Sequence, residues 1–263
     1  MNRLVTVDIR DSVATVRLDN PPVNAFDDLL RAQLGEAIRT LADNGSIGAV
    51  VIAGGPKAFA AGADLKQLAD MDFETVVGWN RALQRVFTDI AQLPMPVVAA
   101  VNGYALGGGM ELALAADFRI LGDRATLALP EIQLGIVPGA GGMQRLRRLV
   151  GAGRAKELIM SGRRVRADEA VAIGLAERVV AADDLPNTAH DFAAQLARGP
   201  RFALDAVKQA IDLGADTSLE AGLALDRSFL AGLFATGDRV RGITSFLENG
   251  PGHARFGDAA GSA

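Results

Sequence analysis

The residue pattern of the chain changes near residue 181, and this change limits the folds that the sequence can adopt. Before it, short apolar runs typical of buried strands, such as residues 47–53 and 97–101, alternate with stretches of helical spacing. From residue 182 onward the pattern is almost wholly helical. Because alternating strands and helices are typical of an α/β fold, the sequence predicts an α/β region followed by a helical C-terminal region.

Periodicity also predicts individual elements. Apolar and polar residues alternate over 4–9 and 13–18, which predicts a β-hairpin. Helical spacing over 26–41 predicts a helix with Asp27 and Asp28 near its N-terminus. Further predicted elements are a loop of small residues at 58–65, helices at 73–93, 110–116, 218–234 and 240–247, and a strand at 118–121.

The composition excludes several classes of site. The 263 residues carry a net charge of −4 and an isoelectric point near 5.3, which argues against a nucleic-acid-binding protein. The chain has no cysteine, so disulfides, thiolate catalysis and zinc–thiolate sites are excluded. Only His190 and His253 are present, and His253 lies in an expected flexible tail. Acid–base chemistry therefore falls mainly to carboxylates.

The sequence also bears on location. Residues 1–3 are followed by an alternating run rather than by the apolar segment of a secretory signal. The longest uncharged stretch, residues 90–110, contains Pro94, Pro96 and Asn102, which make it a poor membrane-spanning helix. We therefore expect a cytoplasmic protein that does not enter a membrane.

Glycine is in excess, with 30 residues, against a usual share of about 7%. Gly-rich turns can bind phosphates, but the dinucleotide pattern G-x-G-x-x-G fails because Leu112, Gln144 and Lys156 occupy its third glycine position. A P-loop also fails, since none of the four lysines follows a glycine. The glycine clusters therefore do not predict a nucleotide site.

Two glutamates stand in apolar surroundings beside these glycines. Glu111 falls in the first turn of the helix that Gly107, Gly108 and Gly109 open, and free N–H groups at such a helix start favour an anion or a developing oxyanion. Glu131 follows Pro130 in a largely apolar segment. Apolar surroundings raise the pKa of a carboxyl toward the range of general acid–base catalysis. Either glutamate could instead simply complement a helix dipole, and spacing alone leaves both readings open.

Four blocks of the sequence together resemble the enoyl-CoA hydratase/isomerase (crotonase) family. They are residues 18–26, 57–66, 96–117 and 130–151, and weaker similarity continues from 158–162 to 234–238. The resemblance implies an α/β fold built as a crotonase-like spiral of ββα units. It also implies a catalytic core at 1–195 and a helical C-terminal trimerisation region at 196–263, in trimers that commonly pair into hexamers.

The resemblance also implies an activity. The backbone N–H groups of Ala63 and Gly108 would form an oxyanion hole for an acyl-CoA thioester, and Glu111 and Glu131 match the two glutamates of the hydratases. The implied protein is an enoyl-CoA hydratase, a lyase of fatty acid β-oxidation, with Glu111 as base and Glu131 as acid. It needs no metal and no cofactor, since CoA is part of the substrate. The implied substrate-binding residues are Ala25, Ala61, Asp64, Leu65, Gly107, Pro130 and Gly139.

The sequence departs from the family at three places. Met143 stands where many relatives carry a small hydroxyl residue, residues 245–250 lack a common lysine, and Pro22–Val23 replace a frequent basic residue. The last two changes remove expected contacts to the CoA phosphates. A crotonase-fold enoyl-CoA isomerase or other acyl-CoA enzyme stays open as an alternative, and so does a non-catalytic acyl-CoA-binding protein. Residues 67–85, with Trp79, either line the acyl pocket or belong to the core.

Overall fold

The computed structural model describes residues 2–256. Its strands are β1 (Val5–Arg10), β2 (Val13–Leu18), β3 (Ala49–Ala53), β4 (Ala58–Ala60), β5 (Val97–Val101), β6 (Tyr104–Leu106), β7 (Phe118–Gly122), β8 (Thr126–Ala128), β9 (Val165–Arg166) and β10 (Arg178–Val180). Its helices are α1 (Asp28–Ala42), α2 (Leu65–Ala69), α3 (Phe73–Ala91), α4 (Gly108–Ala115), α5 (Gly142–Val150), α6 (Ala152–Ser161), α7 (Ala167–Ala172), α8 (Leu185–Ala197), α9 (Arg201–Gly214), α10 (Leu219–Leu233) and α11 (Gly237–Asn249). A 3-10 turn covers Glu131–Leu134.

The strands form two sheets, and from β3 to β8 successive strands belong alternately to one sheet and the other. One sheet has the order β1-β2-β3-β5-β7-β10 and the other the order β4-β6-β8-β9. The pairs β3–β4, β5–β6 and β7–β8 each place one strand in each sheet, and helical structure follows each pair. Strands β2, β3, β5, β7 and β10 run parallel, with β1 antiparallel at the edge. This repeated ββα path confirms the α/β spiral that the sequence resemblance implied.

The two faces of the six-stranded sheet contribute to different apolar cores. Val50 and Ile52 point into the main core, which contains residues of α1, α3 and α4 and of the four-stranded sheet. Val51, between them in β3, belongs to a second core that α8 covers. Successive strand residues point to opposite faces of the sheet. Because an apolar core covers each face, a buried parallel strand such as β3 is apolar at nearly every position.

The structure confirms the predicted hairpin and corrects two other predictions. Helix α1 begins at Asp28 rather than at residue 26, because the Asp27 side chain accepts a hydrogen bond from the Leu30 amide and so caps the helix. The predicted loop at 58–65 is wrong, since it contains β4 and the first residue of α2. Three buried residues are too few to show strand periodicity, and β4 owes its pairing to β6.

A buried arginine fixes the C-terminal end of α4. Arg119 is 2% exposed and donates to the carbonyl oxygens of Ala116 and Leu175 at 2.9 and 2.8 Å. Its guanidinium also pairs with Glu177 at 2.7 Å. Because the last carbonyls of a helix lack intrahelical donors, this arginine satisfies them and joins α4 to the β10 region. Helix α4 is therefore a fixed support for residues at its other end.

The C-terminal helices contrast with the core. Helices α10 and α11 contain no buried residue, although they and the residue after α10 carry large apolar side chains that are 55–79% exposed: Leu219, Leu230, Phe234, Phe246 and Leu247. The predicted division at residue 195/196 falls within α8 and stays a prediction. No helix among residues 2–256 is both long and apolar enough to cross a bilayer.

Candidate active site

Helix α4 begins at a sharp backbone turn that brings it close to β4. Gly107 has φ +52°, a conformation that glycine adopts without a steric penalty. A Cβ placed on Gly109 would lie 1.9 Å from the carbonyl oxygen of Ala60, so only glycine fits where the helix passes the strand. At two of the three consecutive positions that open α4, glycine is therefore required for steric reasons.

This close approach places two backbone amides side by side. A Cβ on Gly62 would lie 3.5 Å from the nitrogen of Gly108, which shows how near the 61–64 segment comes to the helix start. Phe26 bridges to Ala63 as a short parallel pair, which holds that segment in place. Within residues 2–256, neither the Ala63 nor the Gly108 amide donates a hydrogen bond. The predicted oxyanion pair is therefore close together and free to bind an acceptor.

Glu111 lies in the first turn of α4 and is held firmly. Its side chain is buried, with the residue 3% exposed. Its Oε1 accepts hydrogen bonds from the amides of Ala140 and Gly142, both at 2.8 Å. Burial raises the pKa of this carboxyl, while the two amides and the positive charge of Arg145 act to lower it. The hydrogen bonds thus favour the charged form of Glu111 and fix its orientation.

Glu131 begins the 3-10 turn and has the opposite environment. Its Oε2 is buried and accepts no hydrogen bond from any described residue. Its Oε1 lies 2.8 Å from the position that a Cβ on Gly107 would occupy. Burial, together with the negative charge of Glu111, raises the pKa of Glu131 to about 7. A large fraction of Glu131 is therefore protonated at neutral pH.

Gly107 is the point at which these groups meet. A Cβ on it would lie 2.8 Å from Glu131 and 3.3 Å from the Cα of Gly62, next to the free amide of Gly108. Glu111 lies one helical turn after Gly107, and its amide donates a hydrogen bond to the Gly107 carbonyl oxygen at 2.9 Å. Among the described residues, the arrangement combines two unpaired backbone amides with one carboxyl that accepts two hydrogen bonds and one whose buried oxygen accepts none. Such a set can polarise a carbonyl and transfer protons beside it.

The predicted substrate-binding residues on the N-terminal side also gather around the amide pair. The Ala61 amide donates to the Val23 carbonyl at 2.8 Å, and the Ala25 carbonyl accepts from the Asn20 side chain at 2.9 Å. The Asp64 carboxylate caps α2 by accepting from the Lys66 amide, so it is already engaged. Leu65 is 56% exposed at the start of the same helix. Pro130 directly precedes Glu131 in the 3-10 turn.

Three polar side chains near the site were not singled out from the sequence. Asn80 and Gln84 of α3 both donate to the carbonyl oxygen of Gly139, and Arg145 of α5 donates to that of Ala140 at 3.1 Å. The contacts of Asn80 and Gln84 span 59 and 55 residues, and no local pattern marks them. Trp79, which precedes Asn80, packs against the main core, as one of the two alternatives for residues 67–85 predicts. Met143, where the sequence departs from many relatives, is 38% exposed.

Comparisons with known proteins identify the family of the chain. The family model described as enoyl-CoA hydratase/isomerase matches residues 8–257. A short-chain-enoyl-CoA hydratase of Clostridium acetobutylicum is 37% identical, covering 93% of this chain and 94% of its own. A mitochondrial enoyl-CoA hydratase of Pongo abelii is 35% identical, with 90% and 82% covered.

A solved structure extends the agreement to the fold. The enoyl-CoA hydratase of Bacillus anthracis superposes with a TM-score of 0.90 and is 40% identical, covering 94% of this chain and 96% of its own. The family that the sequence resembled is thus confirmed by the family model, the relatives and the fold. The chain belongs to the enoyl-CoA hydratase/isomerase family.

Proposed function

We propose that this protein is an enoyl-CoA hydratase, which adds water reversibly to a trans-2-enoyl-CoA and gives a 3-hydroxyacyl-CoA. The observation that carries the proposal is the pair of buried glutamates in contrasting environments. Glu111 is held by two amides, whereas the Oε2 of Glu131 has no partner among the described residues and its pKa is about 7. Hydration needs both a base and an acid, and the pair supplies them.

The thioester carbonyl oxygen binds between the amides of Ala63 and Gly108. Negative charge develops on this oxygen when water attacks the conjugated double bond, and preformed N–H donors stabilise it without reorganising. Removing one such donor typically costs about 2.7–4 kcal/mol of transition-state stabilisation. Because these donors belong to the backbone, their positions depend on the close approach of residues 61–64 to α4.

The glutamates transfer the protons. Glu111, as the carboxylate, takes a proton from water while the water oxygen bonds to C3 of the substrate. Glu131, as the carboxylic acid, gives its proton to C2, so water is added overall and the roles reverse in dehydration. Positioned acid–base transfer of this kind contributes about 10²–10⁴-fold to a rate. The anchored carboxylate and the unanchored carboxyl of raised pKa support this division of roles.

The remaining parts of the proposal concern binding and assembly. Ala25, Ala61, Asp64, Leu65, Gly107, Pro130 and Gly139 contact the acyl-CoA substrate, and the reaction needs neither a metal nor a cofactor. The exposed apolar side chains of α10 and α11 support a homotrimer, or a hexamer made from two trimers, in which these helices pack between subunits. The proposal includes a place in fatty acid β-oxidation and a cytoplasmic location.

A comparison of two activities tests this function. The purified protein is incubated with crotonyl-CoA, and loss of the enoyl thioester absorbance is followed together with formation of 3-hydroxybutyryl-CoA. The same preparation is then offered a 3-enoyl-CoA, which an isomerase would convert to the 2-enoyl isomer. We expect hydration to dominate. Efficient isomerisation with little hydration would support the crotonase-fold isomerase instead, and binding of acyl-CoA without turnover of either substrate would support a non-catalytic binding protein.

A further inference from the structure

The turn formed by residues 139–142 is hydrogen-bonded on both sides. On one side, the amides of Ala140 and Gly142 donate to Glu111. On the other side, the carbonyl oxygens of Gly139 and Ala140 accept from side chains of α3 and α5. The turn is therefore a connection between Glu111 and polar residues that lie outside the proposed reaction centre.

Two amide side chains of α3 share one acceptor in this turn. The side-chain nitrogens of Asn80 and Gln84 lie 3.0 and 2.6 Å from the carbonyl oxygen of Gly139. The two residues are four apart in α3, so they project from the same face of the helix. The approach is close, because a Cβ on Gly139 would lie only 2.5 Å from Asn80 Oδ1. Glycine at this position therefore lets α3 reach the backbone of the turn.

The shared acceptor belongs to the same peptide group as one of the donors to Glu111. The carbonyl oxygen of Gly139 and the N–H of Ala140 are joined in one planar amide, so fixing the oxygen fixes the direction of the N–H. Donors on the oxygen also polarise the amide and strengthen the hydrogen bond that its N–H makes. Asn80 and Gln84 thus act on Glu111 through a single rigid group, without touching it.

We propose that Asn80 and Gln84 are positioning residues that hold the Gly139–Ala140 peptide group in the orientation that binds the Glu111 carboxylate. The kinetic consequence rests on the proposed function, in which ionised Glu111 is the base. If the peptide group turns away, Glu111 loses a donor to its charged form. Its pKa then rises, and the carboxylate is less well aligned with the attacking water.

Three variants test the proposal: Asn80→Ala, Gln84→Ala and the double variant. Because either side chain alone can still hold the Gly139 oxygen, we expect each single variant to lose less than the double. In the double variant we expect kcat for crotonyl-CoA hydration to fall about tenfold or more, as small displacements of a catalytic group do. KM is expected to change less than kcat does, because Gly139 is one of seven proposed substrate contacts and the other six lie outside the turn. The acid limb of the pH–rate profile is expected to move to higher pH.

Gln92→Ala is the matched control. Gln92 is an exposed amide residue at the C-terminal end of the same helix, and its side chain makes no hydrogen bond with the described residues. We expect this variant to keep the kcat and the pH profile of the parent protein. Melting temperatures of all variants identify any general loss of stability.

A measurement independent of activity separates this proposal from the proposed function. The Glu111 carboxyl is titrated by ¹³C NMR in glutamate-labelled protein, with Glu111→Gln used to assign its signal. A higher pKa in the double variant supports the positioning role even if the parent protein hydrates no enoyl-CoA, a result that would refute only the proposed function. An unchanged Glu111 pKa in the double variant, whatever happens to kcat or to the melting temperature, would overturn the positioning role.

Discussion

The start of α4 and the 3-10 turn at residues 131–134 each carry one glutamate of the candidate site, but the two glutamates have different environments. At α4, Glu111 is almost fully buried and accepts two backbone hydrogen bonds. At the 3-10 turn, Glu131 has a buried oxygen without a hydrogen bond from the described residues, and burial raises its pKa to about 7. The same residue type therefore has two different electrostatic environments at these two places.

The contrast shows that hydrogen bonding acts on the pKa of a carboxyl together with burial. Burial raises the pKa of both carboxyls. Only Glu111 also has two amide donors from the 139–142 turn that favour its charged form. The negative charge of Glu111 further raises the pKa of Glu131. Two neighbouring carboxyls in such different environments suit a reaction that removes one proton and adds another.

Replacing Glu131 is expected to have the largest effect. Glu131→Gln keeps the shape of the side chain but removes the proton for C2, so kcat for hydration of crotonyl-CoA should fall by about 10²–10⁴-fold. Binding of 3-hydroxybutyryl-CoA, measured by calorimetry, should persist. Glu36→Gln is a matched control, because Glu36 is exposed on α1. Near-normal turnover of Glu131→Gln would refute its role as the acid.

Displacing Glu131 without removing it should have the next largest effect. A Cβ in Gly107→Ala would lie 2.8 Å from Glu131 Oε1, at a backbone angle that alanine rarely adopts. We expect kcat to fall about a hundredfold, because a displacement of about 1 Å misaligns the proton transfer.

Gly153→Ala provides the control for glycine replacement. Gly153 lies in α6, where an added Cβ would meet no packed neighbour within 4 Å. This variant should keep full activity and gain about 0.5–1 kcal/mol of stability, as glycine-to-alanine changes in helices do. Equal activity of the Gly107 and Gly153 variants would show that the placement of Glu131 is not critical.

The smallest predicted effect concerns stability and pH. Glu131 has a pKa of about 7 in the folded protein, above its ordinary value of 4.5, so the unfolded chain loses this proton at lower pH than the folded protein does. The resulting destabilisation is absent below pH 4.5, grows as the pH rises to about 7, and stays constant above it. Glu131→Gln should therefore be more stable than the parent protein by about 1–2 kcal/mol at neutral to alkaline pH, after allowance for solvent screening.

Urea unfolding across this pH range checks the last prediction. The stability difference between Glu131→Gln and the parent protein should increase with pH between 4.5 and about 7. A difference that does not depend on pH would mean that Glu131 has an ordinary pKa, and the contrast between the two regions would be lost.

The residue types of the candidate site could be predicted from the sequence, but its geometry could not. The lack of cysteine and the two glutamates beside glycine clusters indicated carboxylate chemistry, and the four blocks indicated the family. By contrast, the hydrogen bonds from Ala140 and Gly142 to Glu111 span 29 and 31 residues. Contacts of this kind depend on how helices and sheets pack, and no local periodicity encodes them.

The same limit explains the errors in the fold. Helix α3 was long and periodic enough to predict, whereas β4 and β6 have three residues each and depend on strand pairing, β4 with β6 and β6 also with β8. These short strands place the Ala63 and Gly108 amides together. The elements that the pattern identified least well are therefore the ones that build the candidate oxyanion hole.

The central claim is that the pKa of Glu131, at about 7, lies above that of Glu111, whose carboxylate accepts two amide hydrogen bonds. A ¹³C NMR titration of the glutamate carboxyls tests it directly, with Glu111→Gln and Glu131→Gln identifying the two signals. We predict that the Glu131 signal titrates with a midpoint near 7 and the Glu111 signal at a lower pH, because two amides hydrogen-bond to the charged form of Glu111. Ionisation of both carboxyls near the ordinary value of 4.5, or a midpoint near 7 for Glu111 alone, would contradict the account.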